Sequence, residues 1–257
     1  MGLFGKLFEK KVCAVCGGEI GLFGNRKLED GNLCKNCAAK LSPFFSERRQ
    51  STVEQIKEQL AYREANKTAV AAFRTTRALG DDVKLLLDED ARRFMVTDAR
   101  DLLKENPDVL DFSQVTGCRL TIDEDAEEEM REDKDGNSVS YNPKRFCYSY
   151  DFTVTINVNH PYFDEIEFKL NDTAVETTEG EAVPVFRKPN PELNSDYAAY
   201  KEMGEEIKAI LLQARLDARE EAKAAAAPKT AVICPYCGAS TMPDERGCCE
   251  WCGGAIG

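Results

Sequence analysis

Cys13-Ala14-Val15-Cys16-Gly17 and, after a gap of seventeen residues, Cys34-Lys35-Asn36-Cys37-Ala38 place two C-x-x-C pairs near the start of the chain. Near its end, Cys234-Pro235-Tyr236-Cys237-Gly238 and, after a gap of eleven, Cys249-Glu250-Trp251-Cys252-Gly253 repeat the arrangement. Two residues between thiolates let one tight turn aim both sulfurs at a single ion. Two such turns complete the tetrahedron that zinc accepts at about 2.3 Å per sulfur. Cys13, Cys16, Cys34 and Cys37 are therefore expected to form one structural Zn²⁺ site, and Cys234, Cys237, Cys249 and Cys252 a second.

Glycine follows the second cysteine of three pairs, at Gly17, Gly238 and Gly253, where a knuckle turns its amides toward sulfur and often needs a positive φ. Cys37 is followed by Ala38 instead. Cys34 to Leu41 reads as the first turn of a helix that Ser42-Pro43 ends. A knuckle, a hairpin over Glu19 to Asn32 and a ligand pair on a helix start make a treble-clef-like finger. The second tetrad, with glycine in both knuckles, reads as a zinc ribbon. Iron in a rubredoxin-like site is the competing reading for Cys-Pro-Tyr-Cys-Gly, and zinc is preferred for so small a ribbon. Disulfides require an oxidising compartment and suit C-x-x-C spacing poorly.

Composition bounds the remaining chemistry. The chain has 257 residues, a formal net charge of -12, 42% hydrophobic residues, eleven cysteines and one histidine. That is enough apolar content for a core, and no apolar run approaches the roughly 20 residues of a membrane span. Residues 1–11 show neither a basic n-region before an apolar stretch nor a cleavage site, so a cytoplasmic protein is expected. Lys6 stands where a myristoylation motif wants Ser or Thr. A short surface-seeking segment, hence peripheral membrane contact, remains a reading of these residues. Any Ser-His, Cys-His or multi-histidine mechanism would have to use His160, which sits beside Pro161 and reads as a solvated turn residue. No phosphate loop, nucleophile elbow or open metal site is apparent, so a non-enzyme is expected.

Between the tetrads the chain changes texture. A zinc finger over 1–50 is followed by a connecting helix within 51–80, capped by Ser51 with Glu54 and running toward Gly80 through Val53, Ile56, Leu60, Ala65, Ala69 and Phe73. Val83–Leu87, Arg93–Val96, Asp108–Phe112, Val115–Asp123, Phe146–Val158 and Glu165–Leu170 are β-prone. A helix capped by Asn194 or Ser195 then carries Tyr197, Tyr200, Met203, Ile207, Ile210, Leu211 and Ala214 on one face. Residues 81–227 are accordingly expected to form an antiparallel, PH-like β-barrel closed by a C-terminal helix. Residues 123–146 are read as an acidic looped insertion, with nine acidic against four basic side chains. Asp133, Asp135 and Asn137 do not complete a calcium loop, because its twelfth position would be Lys144. A linker near Pro228 precedes the ribbon, 228–257. The fold class is α+β. Cys118 and Cys147 are expected as buried strand residues and Cys248 as a spare thiol.

The N-terminal stretch resembles a bacterial zinc-finger-like domain of unknown function. Its members share Cys13–Gly17, the Gly-Leu-Phe-Gly-Asn-Arg-Lys-Leu hairpin of 21–28, Asp30-Gly31-x-x-Cys34-x-x-Cys37 and Leu41-Ser42-Pro43-Phe44. The resemblance implies zinc binding and a bacterial, cytoplasmic origin, and often a PH-like or helical neighbour. The functional expectation is a non-enzymatic zinc-binding adaptor or scaffold acting through protein partners. One alternative is nucleic-acid binding through the face bearing Arg26, Lys27, Lys35, Lys40, Arg48 and Arg49, against which the overall charge counts. The other is a thiol/zinc redox sensor in which Cys248 exchanges with Cys249.

Overall fold

The structure, a computed structural model, describes residues 11–178, 180–226, 231–244 and 246–256. The surface-seeking segment ahead of Lys11 and the linker at Pro228 lie outside them. Two compact units meet in sequence at Arg215 and Leu216.

In the first unit, β1 (Lys11–Val12) pairs with β2 (Glu19–Ile20), and β3 (Asn25–Lys27) pairs with β4 (Asn32–Cys34), which runs directly into the one-turn helix α1 (Lys35–Ala38). After a 3-10 turn at Glu47–Arg49 comes α2 (Val53–Ala72). Its cap lies one residue later than expected. Thr52 Oγ1 accepts from Gln55 N–H at 3.3 Å and Gln55 Oε1 accepts from Thr52 N–H at 2.8 Å. Ser51 Oγ is diverted to the Glu47 carbonyl, 2.9 Å away. The helix also stops at Phe73, short of Gly80, because the sheet captures the next residues: Arg74 N–H donates to Asp88 Oδ2 and Thr76 N–H to the Leu87 carbonyl.

The inward stripe of α2 is Ile56, Gln59, Arg63, Asn66 and Val70, all buried at helical spacing and polar at its three central positions. Ile56, with Val53 and Leu60, packs on the finger core of Leu28, Leu33 and Leu41. Val70 joins Met95 and Val109 at the other end. Between them Arg63 Nη1 pairs with Asp108 Oδ1 at 2.6 Å, and Asp108 Oδ2 accepts from Ser42 Oγ at 2.7 Å. Asn66 donates to the Pro107 carbonyl at 2.7 Å and accepts from Val109 N–H at 3.1 Å. Asn106 Nδ2 donates to the Arg63 carbonyl at 2.8 Å and closes the same set. Ser42 belongs to the Leu-Ser-Pro-Phe end of the finger, so this buried polar set ties the finger to the sheets through one helix.

Four antiparallel strands follow in sequence order: β5 (Arg77–Leu79), β6 (Lys84–Asp88), β7 (Arg93–Thr97) and, after the short helix α3 (Leu102–Glu105), β8 (Leu110–Asp111). The second sheet is built on a long hairpin of β9 (Val115–Glu128) and β12 (Arg145–Val158), whose tip carries the small pair β10 (Met130–Glu132) and β11 (Ser138–Ser140). The far edge of β12 takes three short strands in turn: β13 (Glu165–Lys169), β14 (Val175–Glu176) and β15 (Val183–Pro184). Where the chain leaves β13, buried Asn171 substitutes its side chain for a strand, accepting from Phe152 N–H at 2.8 Å and donating to the Tyr150 carbonyl at 3.3 Å. Even-numbered β12 residues from Tyr148 to Val158 face the core, opposite Leu120 and Ile122 of β9.

Two expectations are corrected here. Residues 123–146 are a paired hairpin rather than a loop. Its turn is held by Asp133, whose Oδ1 accepts from the N–H of Asp135 and Asn137 at 2.8 and 2.9 Å. The strands also form no closed barrel: among the described residues no strand pairing joins the four- and five-stranded sheets. Closure needs a continuous staggered ladder. Here the β12 edge is consumed by β13–β15, and the two-residue β8 ends in a 3-10 turn at Phe112–Gln114. What joins the sheets is a common core containing Leu85, Phe94, Leu110, Phe152, Ile156 and Ile166. The first part of α4 (Ser195–Ala226), capped by Asn194 accepting from Tyr197 N–H at 3.0 Å, adds Tyr197, Ile207 and Leu211 to it. Gly204 permits that approach, since a Cβ there would meet Leu120 Cδ1 at 2.6 Å.

In the second unit, β16 (Val232–Ile233) and β17 (Ser240–Thr241) form a hairpin, with isolated bridges Pro243 to Cys249 and Cys248 to Ala255. Among the described residues no helix is long and apolar enough to cross a membrane.

Candidate metal centres

Three of the four cysteine pairs are copies of one backbone device. Cys13 N–H donates to the Gly18 carbonyl at 2.9 Å while Gly17 N–H donates back to the Cys13 carbonyl at 2.9 Å. Cys234 with Gly238 and Ala239, and Cys249 with Gly253 and Gly254, repeat both bonds at 2.8–2.9 Å. The closing glycine has φ of +72° at Gly17, +73° at Gly238 and +72° at Gly253, a conformation costly to any residue with a Cβ. The fourth pair works differently. Cys34 is the N-cap of α1, and its Sγ accepts from Cys37 N–H at 3.4 Å, the place an oxygen usually takes.

These turns bring the eight predicted ligands into two groups of four, Cys13, Cys16, Cys34, Cys37 and Cys234, Cys237, Cys249, Cys252, with all sulfurs of a group within 4.8 Å of one another. Cys16 and Cys34 sulfurs are 3.8 Å apart, Cys234 and Cys252 3.5 Å, and Cys237 and Cys249 3.7 Å. A tetrahedron with arms of about 2.3 Å has edges of about 3.8 Å, so these spacings fit a four-sulfur metal ion. They are far longer than the roughly 2.05 Å of a disulfide.

The electrostatics point to the same need for a cation. Burial pushes the Cys13 thiol up, but N–H groups of Cys16, Cys34 and Val15 outweigh it and hold the thiol at about 6. Cys37 is driven well above the ordinary thiol range, first by burial and then by the sulfurs beside it. In the second group burial is again outweighed at Cys234, where Cys237 and Tyr236 amides bring the thiol to about 7. At Cys252 the Gly254 N–H works downward, yet Cys234 and Cys237 push the thiol up to about 12. Four sulfurs this close do not ionise together without a cation among them, so metal uptake should release protons.

The other cysteines separate from both groups. Cys118 lies on the core face of β9, and burial raises its thiol to about 11. Cys147 is half-buried on the opposite face of β12 from Tyr148, so it is not the core residue expected. Cys248 stands outside the tetrad, its Sγ 3.7 Å from the Arg246 carbonyl, while the Cys249 sulfur is one of the four brought together.

His160 is not a solvated turn residue. Its ring stacks on Phe163 at 4.0 Å, Nε2 meets Tyr62 Oη at 2.8 Å, and Nδ1 accepts from Tyr162 N–H at 3.3 Å. An accepting Nδ1 must be unprotonated. Burial lowers the imidazole's pKa below 6.5, with the charge of Asp108 opposing it. The contribution of His160 should therefore be complete above its unfolded pKa near 6.5 and be lost as pH falls through the lower folded value. Urea melts of the wild type from pH 7.5 to 5 should show this decline and His160→Gln should flatten it. An equal slope in both would remove His160 as its source.

Residues 11–59 match the family model described as Domain of unknown function (DUF4428). The match takes in the first tetrad and the start of α2 with Val53 and Ile56, and ends before Leu60 and Arg63. No curated protein and no solved structure matches the chain.

Proposed function

We propose that this chain is a non-catalytic, zinc-binding adaptor that works through protein partners in a reducing cytoplasm. The observation that carries the reading is the completeness of both tetrads. Each offers four cysteine sulfurs to one ion, and a four-coordinate Zn²⁺ so held keeps no position for water or substrate. Cys13, Cys16, Cys34 and Cys37 would hold one ion, and Cys234, Cys237, Cys249 and Cys252 the other. The ions supply folding energy rather than Lewis-acid chemistry. Two sheets sharing a core with the first part of α4 are read as PH-like, and the reading expects a peptide partner beside that helix.

Metal analysis of protein purified without chelator should find two zinc ions per chain and no visible absorbance. One ion per chain, or the red colour of a ferric four-sulfur site, would overturn the assignment. Cross-linking in the native cell should then recover partners with the wild type that are lost from Cys13→Ser or Cys234→Ser. Recovery unaffected by either would remove the zinc modules from the interaction.

A further inference from the structure

The finger hairpin carries a feature that chain reversal does not require. Gly21-Leu22-Phe23-Gly24 is a β-turn closed by Gly24 N–H donating to the Gly21 carbonyl at 3.0 Å, so Leu22 and Phe23 hold its two corners. Corners ordinarily take Gly, Asn, Asp, Pro or Ser, which suit the bend and its exposure to water. Here Leu22 is 89% and Phe23 94% exposed. One exposed apolar side chain is ordinary. Two adjacent on a projecting turn keep a hydrophobic edge in water that the finger core does not cover.

Cations line a concavity at the foot of the hairpin, and one of them reaches the turn. Arg26, Lys27, Arg48 and Arg49 line one concavity, in which Glu29 is the sole carboxylate. Arg26 Nη1 donates to the Phe23 and Asn25 carbonyls, each at 3.3 Å, which fixes its charge beneath the turn. Arg48 Nη1 donates to the Lys27 carbonyl at 2.8 Å. Among the described residues none of the four is in an ion pair. Burial first, and then the charges of Arg26 and Arg49, hold the Arg48 guanidinium below its usual range. On a chain of net charge -12 this is a local positive face. The same Gly-Leu-Phe-Gly also stands at 2–5, followed by Lys6, Leu7, Phe8, Lys10 and Lys11.

We propose that the finger tip docks on an anionic lipid bilayer, with Leu22 and Phe23 entering the interfacial layer and Arg26, Lys27, Arg48 and Arg49 meeting acidic headgroups. An apolar turn with a cation-lined concavity at its foot matches the two layers of such a surface, acyl boundary beneath anionic headgroups. A duplex backbone would satisfy the cations and leave the apolar edge in water, and a single strand would offer a base to stack on Phe23 but nothing to cover Leu22. The inference rests on the zinc-held finger proposed above and names a surface that finger would bind.

The test uses the full metal-loaded chain, sedimented with vesicles of about three parts phosphatidylcholine to one of phosphatidylserine and with phosphatidylcholine alone. Binding should favour the phosphatidylserine vesicles and weaken as salt is added. Leu22→Ser with Phe23→Ser should lose about tenfold or more of it. Lys27→Glu with Arg49→Glu should lose about thirtyfold or more. All four side chains are exposed, so both variants should keep two metal ions. Binding that survives Leu22→Ser with Phe23→Ser but disappears in Leu3→Ser with Phe4→Ser would overturn the proposal. So would salt-sensitive binding of single-stranded RNA with no binding to vesicles. A chain with two zinc ions that fails to sediment overturns the membrane proposal alone. A chain lacking zinc that still sediments through Leu22 and Phe23 supports it and counts against the zinc assignment.

Discussion

Stripping metal from the full chain is expected to release residues 11–60 from protection against hydrogen exchange while the two-sheet core stays folded. The finger core is Leu28, Leu33, Leu41 and Ile56 with the tetrad cysteines Cys13 and Cys37 themselves. So small a cluster does not offset a conformational entropy of about 1–2 kcal/mol for each of some fifty residues. Structural zinc supplies roughly 10–16 kcal/mol of apparent binding energy in comparable finger peptides. The effect should reach past the last ligand, because Val53, Ile56 and Leu60 lean on the same core. Cys13→Ser should reproduce it without chelator and leave the metal of the second tetrad in place. Exchange mass spectrometry decides the matter. Amides of Leu28 and Leu33 that stay protected after metal removal would exclude a metal-dependent finger.

Asp108→Ala should be the most damaging single change outside the tetrads, costing about 3–5 kcal/mol, the usual penalty for stranding one member of a buried ion pair. Asp108 is fully buried and receives both Arg63 and Ser42, so its removal leaves Arg63 Nη1 and the Ser42 hydroxyl without that acceptor and the guanidinium without its counter-ion. The double change Arg63→Met with Asp108→Leu should cost much less than the two single changes together, since no charge is then stranded. Urea unfolding of the wild type, Arg63→Met, Asp108→Leu and the double variant provides the cycle, with Asp108→Ala measured beside it. A loss under about 1 kcal/mol for Asp108→Ala would mean that the pair does not hold finger, helix and sheets together.

Both effects depend on features that differ in how far they can be seen from the chain alone. The knuckles are legible because each is complete within six residues. Cys13 to Gly18 contains both hydrogen bonds, the positive-φ glycine and two sulfurs, so covalent spacing and one Cβ-free position settle its geometry. The amphipathic part of α4 is legible for a related reason: Tyr197, Ile207, Leu211 and Ala214 are apolar and recur at the helical period. The same period in α2 is hidden, because its buried stripe is Gln59, Arg63 and Asn66 between Ile56 and Val70. Polar side chains read as surface until their partners are known. Those of Arg63 and Asn66, at Asn106, Pro107 and Asp108, lie 40 to 45 residues further along the chain.

The acidic stretch after Asp123 misleads in the same way. Its charges read as a solvated loop, yet Asp123 to Glu128 are a strand, because β12 supplies a complete ladder opposite them and the charged side chains point to water from a paired backbone. Strand pairing is a property of two segments, and neither carries it alone. Barrel closure is a further step of the same kind, since it depends on which edges remain free once β13, β14 and β15 have filled one side of β12. By itself, then, the sequence determined the cysteine pairs, the knuckle form and the α+β class, all set by contacts within a few residues or by a regular apolar period. Only the tertiary structure decided the polar seam through α2, the pairing of the acidic hairpin, the open sheets and the exposure of Leu22 and Phe23, because each depends on what distant segments do or do not cover.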